Sequence, residues 1–174
     1  QASVLACAQE AASTLAPVVA AIGQAVQGAP VVHADETGIR IQGRLAWLHC
    51  AVTGGLTWLG QHARRASVAF EDLGILSGVR GTLVHDGLAG YKNLQCTHGL
   101  CNAHRLRELT FVHEQMNEKI WDGWAREMIE LLVQAKDEVH QCGAPLPAQR
   151  QLWYAQQWDA LLERGERQHP EVIP

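Results

Sequence analysis

Hydrophobic residues near the start of the chain recur at the spacing of an amphipathic helix. They are three or four positions apart from Val4 to Val26, and turn-forming residues follow up to Pro30. This spacing predicts one helix over residues 3–26, with Pro17 inside it.

The pattern then changes to the short apolar runs that are typical of β-strands. Residues 31–37 form the first run, which residues 39–41 extend, and further runs follow at 44–53 and 56–62. The connections are short and contain Gln42-Gly43 and Gly54-Gly55, which are tight-turn signals. The pattern therefore predicts three consecutive antiparallel strands.

Helical and strand segments alternate after the third predicted strand. Ser67 is placed to cap a short helix that runs to about residue 76. A strand is predicted at 82–86, a short helix at 89–94 and a fifth strand at 97–102. Amphipathic helices are predicted over the rest of the chain, with a break at Pro145 and Pro147.

This order of elements is that of a ribonuclease H-like α/β fold. A right-handed crossover from the third strand would bring the fourth strand parallel to the first. We therefore predict a mixed five-stranded sheet with an N-terminal helix and a C-terminal helical region. The predicted boundaries are 1–30 for the helix leading into the core, 31–115 for the core and 116–174 for a helical extension.

Two carboxylates, Asp35 and Asp86, stand at the ends of the first and fourth strand-like runs. Each has a simpler explanation, because acids often terminate strands and Asp86-Gly87 is a common turn pair. Parallel pairing of the two strands would bring both carboxylates to one end of the sheet. Mg²⁺ prefers carboxylate oxygen, and a pair of such ions can hold both the attacking and the leaving oxygen of a phosphodiester. The pattern therefore predicts a site for Mg²⁺ or Mn²⁺.

Glu36 is adjacent to Asp35 but is not expected to share its site. Side chains alternate along a strand, so one face carries Val31, His33 and Asp35, and the other face carries Val32, Ala34 and Glu36. Asp35 and Glu36 could serve one site only if the strand ended between them.

Composition and charge narrow the class of protein. The chain has 174 residues, enough for one domain of ordinary size, and a net charge of −4, which argues against DNA binding by its bulk surface. Its five cysteines lack the spacing of a disulfide framework, which suits a reducing cytoplasm. The N-terminal stretch lacks a basic segment and contains Glu10, so we expect no secretory signal. We also expect no membrane span, because no apolar run approaches the required length.

Four motifs together resemble the transposases of the insertion-sequence 66 family. The motifs are His33-Ala34-Asp35-Glu36-Thr37-Gly38, Trp47-Leu48-His49, Val84-His85-Asp86-Gly87 with Tyr91, and Leu100-Cys101-Asn102-Ala103-His104-Arg105-Leu106-Arg107-Glu108-Leu109. The resemblance runs from about residue 10 to about residue 165. It implies a DDE-type recombinase, which is an Mg²⁺-dependent enzyme that cuts and joins element ends with two Asp and one Glu. DNA is then the partner, and a homo-oligomer is expected when the protein assembles on it.

The resemblance also implies roles for single residues. Asp35 matches the first catalytic Asp and Asp86 the second, while Cys101 and His104 match a Cys-x-x-His element. The family's third carboxylate and its upstream DNA-binding region have no counterpart here. The resemblance therefore implies a catalytic-core fragment that is inactive alone. The third ligand stays unassigned, although Glu108, Glu114 and Glu118 lie within the chain.

The remaining candidates are histidines, cysteines and arginines. Four potential zinc ligands lie close together in the sequence: Cys96, His98, Cys101 and His104. We expect no zinc there, because the pattern of this segment predicts a strand that runs into a helix. The candidates for residues that contact and orient the metal ligands, without binding the ion themselves, are His33, His85, Cys101 and His104. The candidates for DNA phosphate contacts are Arg64, Arg65, Arg105 and Arg107, although exposed arginines are common.

Two other functions fit the same features. The missing third carboxylate and the acidic balance favour a non-catalytic remnant or interaction domain that keeps the fold. A ribonuclease H-like nuclease would use the same sheet. Substrate choice separates the three, since only a transposase requires specific element ends.

Overall fold

The chain divides into two units, residues 1–101 and residues 102–174, in the computed structural model. The structure describes residues 2–115 and 118–168. The first unit contains a five-stranded sheet, and the described part of the second unit is built from helices.

Helices and strands in the first unit follow the order expected from the sequence. The elements are α1 (Ala2–Gln27), β1 (Val31–Ile41), β2 (Arg44–Val52), β3 (Thr57–His62), α2 (Ser67–Leu73), β4 (Thr82–His85) and β5 (Thr97–Leu100). Short 3₁₀ helices at Leu76–Gly78 and Ala89–Asn93 precede β4 and β5. The predicted helix, strands and turns are therefore confirmed, with boundaries that shift by a few residues.

The strands form one mixed sheet in the order β3-β2-β1-β4-β5. β1, β2 and β3 pair antiparallel, whereas β4 lies parallel to both β1 and β5. A tight turn at Gln42-Gly43 joins β1 to β2, and both residues have the positive φ that such hairpins require, 51° and 79°. This topology confirms the predicted ribonuclease H-like fold.

One face of β1 builds the core of the first unit. Val32 and Leu83 are neighbours in the β1–β4 register and are fully buried. They pack with Val26 at the end of α1 and with Phe70 of α2. Each such apolar side chain contributes about 1.5–3 kcal/mol when it leaves water, so this contact fixes α1 and α2 to the sheet.

The N-terminal part of α1 is exposed and apolar. Val4 is 73% and Leu5 61% exposed, and the most apolar 18-residue window of the helix has no buried residue. The helical stretch Ser3–Gln27 is long and apolar enough to cross a membrane, so our expectation that no run approaches this length is wrong. It failed because a span tolerates one charge such as Glu10. Length and composition alone do not distinguish a span or a signal sequence from a helix that packs on protein.

Two local expectations also need correction. Asp35 does not end a strand, because β1 continues to Ile41 and pairs with β2 along that whole length. Ser67 is the first residue of α2 rather than its cap. The capping position belongs to Ala66, which has a positive φ of 68° and offers no side-chain hydrogen bond. In both cases the hairpin and loop geometry overrides the local preference of the residue.

Three helices make up the described part of the second unit. They are α3 (Asn102–Gln115), α4 (Glu118–Cys142) and α5 (Ala148–Gln168), and α4 contacts both of the others. The predicted break at Pro145 and Pro147 lies between α4 and α5. Arg150 binds both oxygens of Glu138, which also accepts a 2.6 Å hydrogen bond from Tyr154, so side chains of α4 and α5 are tied together.

Candidate active site

The two candidate carboxylates are carried by neighbouring parallel strands. β1 and β4 pair through Val31 with Thr82 and through His33 with Val84. Continued by two residues, this register sets Asp35 level with Asp86, the residue that follows β4.

Asp35 lies on the exposed face of β1. Its Oδ1 accepts a 2.9 Å hydrogen bond from the backbone N–H of Glu36, which holds one oxygen close to the strand. Cys50 stands opposite Asp35 in the β1–β2 register and is half-buried, and burial raises the pKa of its thiol. The neighbouring thiol is therefore protonated at neutral pH and adds no charge to the surroundings of Asp35.

Asp86 has one oxygen fixed by the backbone. Its Oδ1 accepts a 2.8 Å hydrogen bond from the N–H of Leu88, and Gly87 between them has a φ of 98°, which favours glycine. The Oδ2 atom lies 3.8 Å from Nη2 of Arg65, and the side chain is 23% exposed. Asp86 therefore presents a partly accessible carboxylate in a fixed orientation.

Glu36 is the buried acid of this region. Its side chain is 0% exposed. Oε1 accepts a 2.8 Å hydrogen bond from Nε of Arg65, and Oε2 accepts a 2.6 Å hydrogen bond from the hydroxyl of Tyr91. A buried carboxylate is costly unless it is paired, and this one is paired at both oxygens. Glu36 is therefore committed to the fold rather than available to a ligand.

The loop that carries Arg65 is held by backbone contacts. His62 accepts a 3.0 Å hydrogen bond from the N–H of Arg64, and His49 lies 3.4 Å from the Arg64 carbonyl. The next residue, Ala66, has a backbone conformation (φ 68°, ψ −145°) that is costly for a residue other than glycine. The guanidinium of Arg65 lies 4.8 Å from the ring centre of Trp47. These contacts fix Arg65 beside Glu36 and Asp86.

The family profile described as Transposase IS66 family matches residues 1–172 of the chain. The chain belongs to this transposase family. The match confirms the resemblance that the sequence motifs suggested. No curated protein and no solved structure matches the chain.

Histidines in this transposase-family chain stabilise the turn that follows β4. His85 Nδ1 accepts a 3.0 Å hydrogen bond from the N–H of Gly87, so its proton is on Nε2. Nε2 donates to His98 Nδ1 at 3.0 Å, and His98 Nε2 donates to the Leu94 carbonyl at 3.1 Å. His85 is buried, and burial lowers its pKa. Both rings are hydrogen-bonded, and they support the backbone next to Asp86.

The other sequence candidates are spread over both units. His33 is exposed on β1, and the N–H of Cys101 donates a 2.8 Å hydrogen bond to the His85 carbonyl. His104 and Arg107 lie on α3 in the second unit, where Arg105 pairs with Glu108 at 2.5 Å. Glu114 is also on α3, and Glu118 begins α4.

The candidate ligands are of the type that a hard divalent cation prefers, but there are only two of them among the described residues near this site. Asp35 and Asp86 supply carboxylate oxygen, the ligand type that Mg²⁺ and Mn²⁺ prefer. Among residues 2–115 and 118–168, no group of three or more His, Cys, Asp or Glu side chains could hold a metal. Both ring nitrogens of His98 already take part in hydrogen bonds, one with His85 and one with the Leu94 carbonyl.

The sequence reasoning missed the roles of Glu36, Tyr91 and Arg65 in one hydrogen-bonded network. A signal was present, because Glu36 lies on the same buried, apolar face of β1 as Val32 and Ala34. A carboxylate on a core face requires buried donors, which could have prompted a search for an arginine and a tyrosine. Their positions, 29 and 55 residues further along the chain, carry no local pattern.

Proposed function

We propose that this chain contributes the catalytic core of a DNA transposase that cuts and joins strands by divalent-metal-dependent phosphodiester chemistry. The observation that supports the proposal is the parallel pairing of β1 with β4, because its register reaches Asp35 and Asp86 when it is continued by two residues beyond His33 and Val84. Membership of the IS66 transposase family supports DNA as the partner and transposition as the process. The family resemblance also supports a homo-oligomer assembled on DNA.

The chain's own residues would bind and orient in this mechanism. Asp35 and Asp86 would hold the cation, with Asp86 oriented through the Leu88 N–H. Mg²⁺ or Mn²⁺ would supply charge neutralisation and would activate water or a 3′-hydroxyl for in-line attack on phosphorus. Positioning and electrostatics account for such a reaction, so no covalent intermediate with the protein is required.

DNA binding by this core must overcome its negative charge. The chain has a net charge of −4, so non-specific attraction to phosphate is weak. Arg64 and Arg107 are exposed and remain candidates for phosphate contacts. Arg65 is already engaged with Glu36, so it is a poorer candidate than the sequence suggested.

Substitution of the two acids in the complete protein tests the proposal. Asp35→Asn and Asp86→Asn should each abolish Mg²⁺-dependent cleavage of element-end DNA while the circular dichroism spectrum is unchanged. Asp72→Asn is the matched control, because it removes the same charge from an exposed acid of the first unit that pairs with His62. Cleavage at the wild-type rate in Asp35→Asn or Asp86→Asn would overturn the assignment.

A non-catalytic interaction domain is the second candidate. The observation in its favour is the lack, among the described residues, of a third metal-holding side chain near Asp35 and Asp86. Such a domain would bind element ends or partner subunits but would show no Mg²⁺-dependent cleavage in the complete protein. A ribonuclease H-like nuclease would instead cleave without a requirement for element-end sequence.

A further inference from the structure

We propose that Arg65 is an internal counter-ion of the carboxylate site, which partly neutralises Asp86 and weakens divalent-cation binding there. The inference rests on the proposed metal site at Asp35 and Asp86. It assigns to Arg65 a control of metal affinity that neither the family match nor the sequence motifs provide.

The two contacts of the guanidinium differ in strength. Nε of Arg65 lies 2.8 Å from Glu36 Oε1, whereas Nη2 lies 3.8 Å from Asp86 Oδ2. The first distance is that of a short charge-assisted hydrogen bond, and the second is that of an ion pair without a good hydrogen bond. Contact with Asp86 can therefore be lost while contact with Glu36 is kept.

Surrounding residues keep the positive charge in this place. Glu36 has a side chain that is 0% exposed and is held from the other side by Tyr91, so it cannot move outward with Arg65. Trp47 lies against the guanidinium, and the loop backbone is hydrogen-bonded to His62.

Electrostatics then set the direction of the effect. A cation bound by Asp86 would lie within a few ångströms of a fixed positive charge, and like charges at that separation repel strongly when partly shielded from water. Removal of Arg65 should therefore tighten metal binding. A residue with only a structural role would leave the affinity unchanged or weaken it.

Arg64 provides a matched control within the same loop. It carries the same charge, is adjacent in sequence and is exposed. Its contacts with His62 and His49 are made by the backbone, which a substitution of its side chain retains. Arg64→Gln therefore removes one positive charge, as Arg65→Gln does, but it leaves the contact between Arg65 and Asp86 in place.

The test is a Mn²⁺ titration of the whole chain followed by electron paramagnetic resonance, with free Mn²⁺ as the signal. Arg65→Gln should bind Mn²⁺ about tenfold more tightly than the wild type, the change expected from removal of one nearby charge. Arg64→Gln should change the affinity by less than about twofold, because exposed and distant charges are screened. Asp86→Asn should remove the site in every background.

A second pair of variants guards against misfolding. Arg65→Gln leaves the buried carboxylate of Glu36 without its cation, which can destabilise the first unit. In the Glu36→Gln background that charge is absent, so Glu36→Gln with Arg65→Gln should again bind Mn²⁺ about tenfold more tightly than Glu36→Gln alone. Circular dichroism checks that each variant is folded.

The outcomes separate this inference from the proposed function. Binding that depends on Asp86 but is not tightened by Arg65→Gln in either background overturns the counter-ion role and leaves the metal site intact. Mn²⁺ binding that is unaffected by Asp86→Asn overturns the metal site and the counter-ion role together. No measurable binding in the wild type or in either Arg65 background has the same consequence.

Discussion

The hydroxyl of Tyr91 is the single group whose removal tests the buried network most cleanly. It donates a 2.6 Å hydrogen bond to Glu36, and both side chains are buried. Burial and the neighbouring carboxylate raise the pKa of Tyr91, so the hydroxyl is a donor at every relevant pH. In Tyr91→Phe the ring keeps its stacking on Phe70 and His85, at centroid distances of 4.7 and 4.4 Å.

The magnitude follows from the chemistry of the bond that is lost. A hydrogen bond to a charged group contributes about 1.5–3 kcal/mol, and a buried carboxylate that loses a donor is left poorly solvated. Glu36 keeps Arg65 as its second partner. We therefore expect Tyr91→Phe to lower the free energy of unfolding by about 2–3 kcal/mol, a large share of the roughly 5–15 kcal/mol of a typical domain.

Urea denaturation followed by circular dichroism measures this loss, and hydrogen exchange of the β1 amides assigns it to the first unit. Tyr154→Phe is the matched control, because its hydroxyl also donates a 2.6 Å bond to a carboxylate, but to Glu138, whose side chain is 29% exposed. Water can replace that bond, so the control should lose clearly less stability. Equal losses in the two variants, or no loss in Tyr91→Phe, would refute the reasoning.

Two further predictions concern pH and the start of β4. Burial lowers the pKa of His49 and His85 below the ordinary 6.5, so as the pH falls the unfolded chain binds protons before the folded chain does. The free energy of unfolding should therefore be highest above about pH 6.5 and should decrease below it. His85→Gln should make that decrease smaller, as measured by urea midpoints. Midpoints that stay level across this range would contradict the assignment of neutral rings. A Cβ on Gly81 would lie 2.4 Å from the Pro30 carbonyl oxygen, so Gly81→Ala should cost about 1–3 kcal/mol in thermal unfolding. Gly54→Ala, with nothing within 4 Å of its Cβ, should leave the Tm nearly unchanged, and equal shifts in the two variants would show that the close approach at Gly81 is not real.

The order of elements and the sheet topology could be predicted because local signals are strong in this chain. Helical spacing defines α1, and Gln42-Gly43 and Gly54-Gly55 mark the two hairpins. Once three antiparallel strands are followed by a helix and a strand, the handedness of the crossover leaves few arrangements. The long range of the β1–β4 contact was therefore not an obstacle.

Details that depend on tertiary context were not predictable in the same way. Asp is depleted in strands, yet Asp35 lies inside β1 because pairing with β2 continues to Ile41. We expected no membrane span, whereas the helical stretch Ser3–Gln27 is long and apolar enough for one. For Asp35 the local propensity is weak, and pairing with a neighbouring strand decides.

The candidate site was predictable to the level of its two acids but not of their surroundings. The sequence identifies Asp35 and Asp86 through their positions on the predicted strands and through the motifs that contain them. Their settings differ, since Asp35 is exposed on β1 while Asp86 lies next to Arg65. The partnership of Arg65 with Glu36 joins residues far apart in sequence, and only the folded chain shows it.

A metal-binding measurement in the crystal tests the central claim most directly. Crystals of the chain soaked in Mn²⁺ and measured near the manganese absorption edge would reveal the ion by its anomalous signal. The account predicts a peak in contact with carboxylate oxygens of both Asp35 and Asp86, with water completing the coordination. A peak that contacts neither acid, or carboxylates that remain too far apart to share an ion when Mn²⁺ is bound elsewhere, would contradict it.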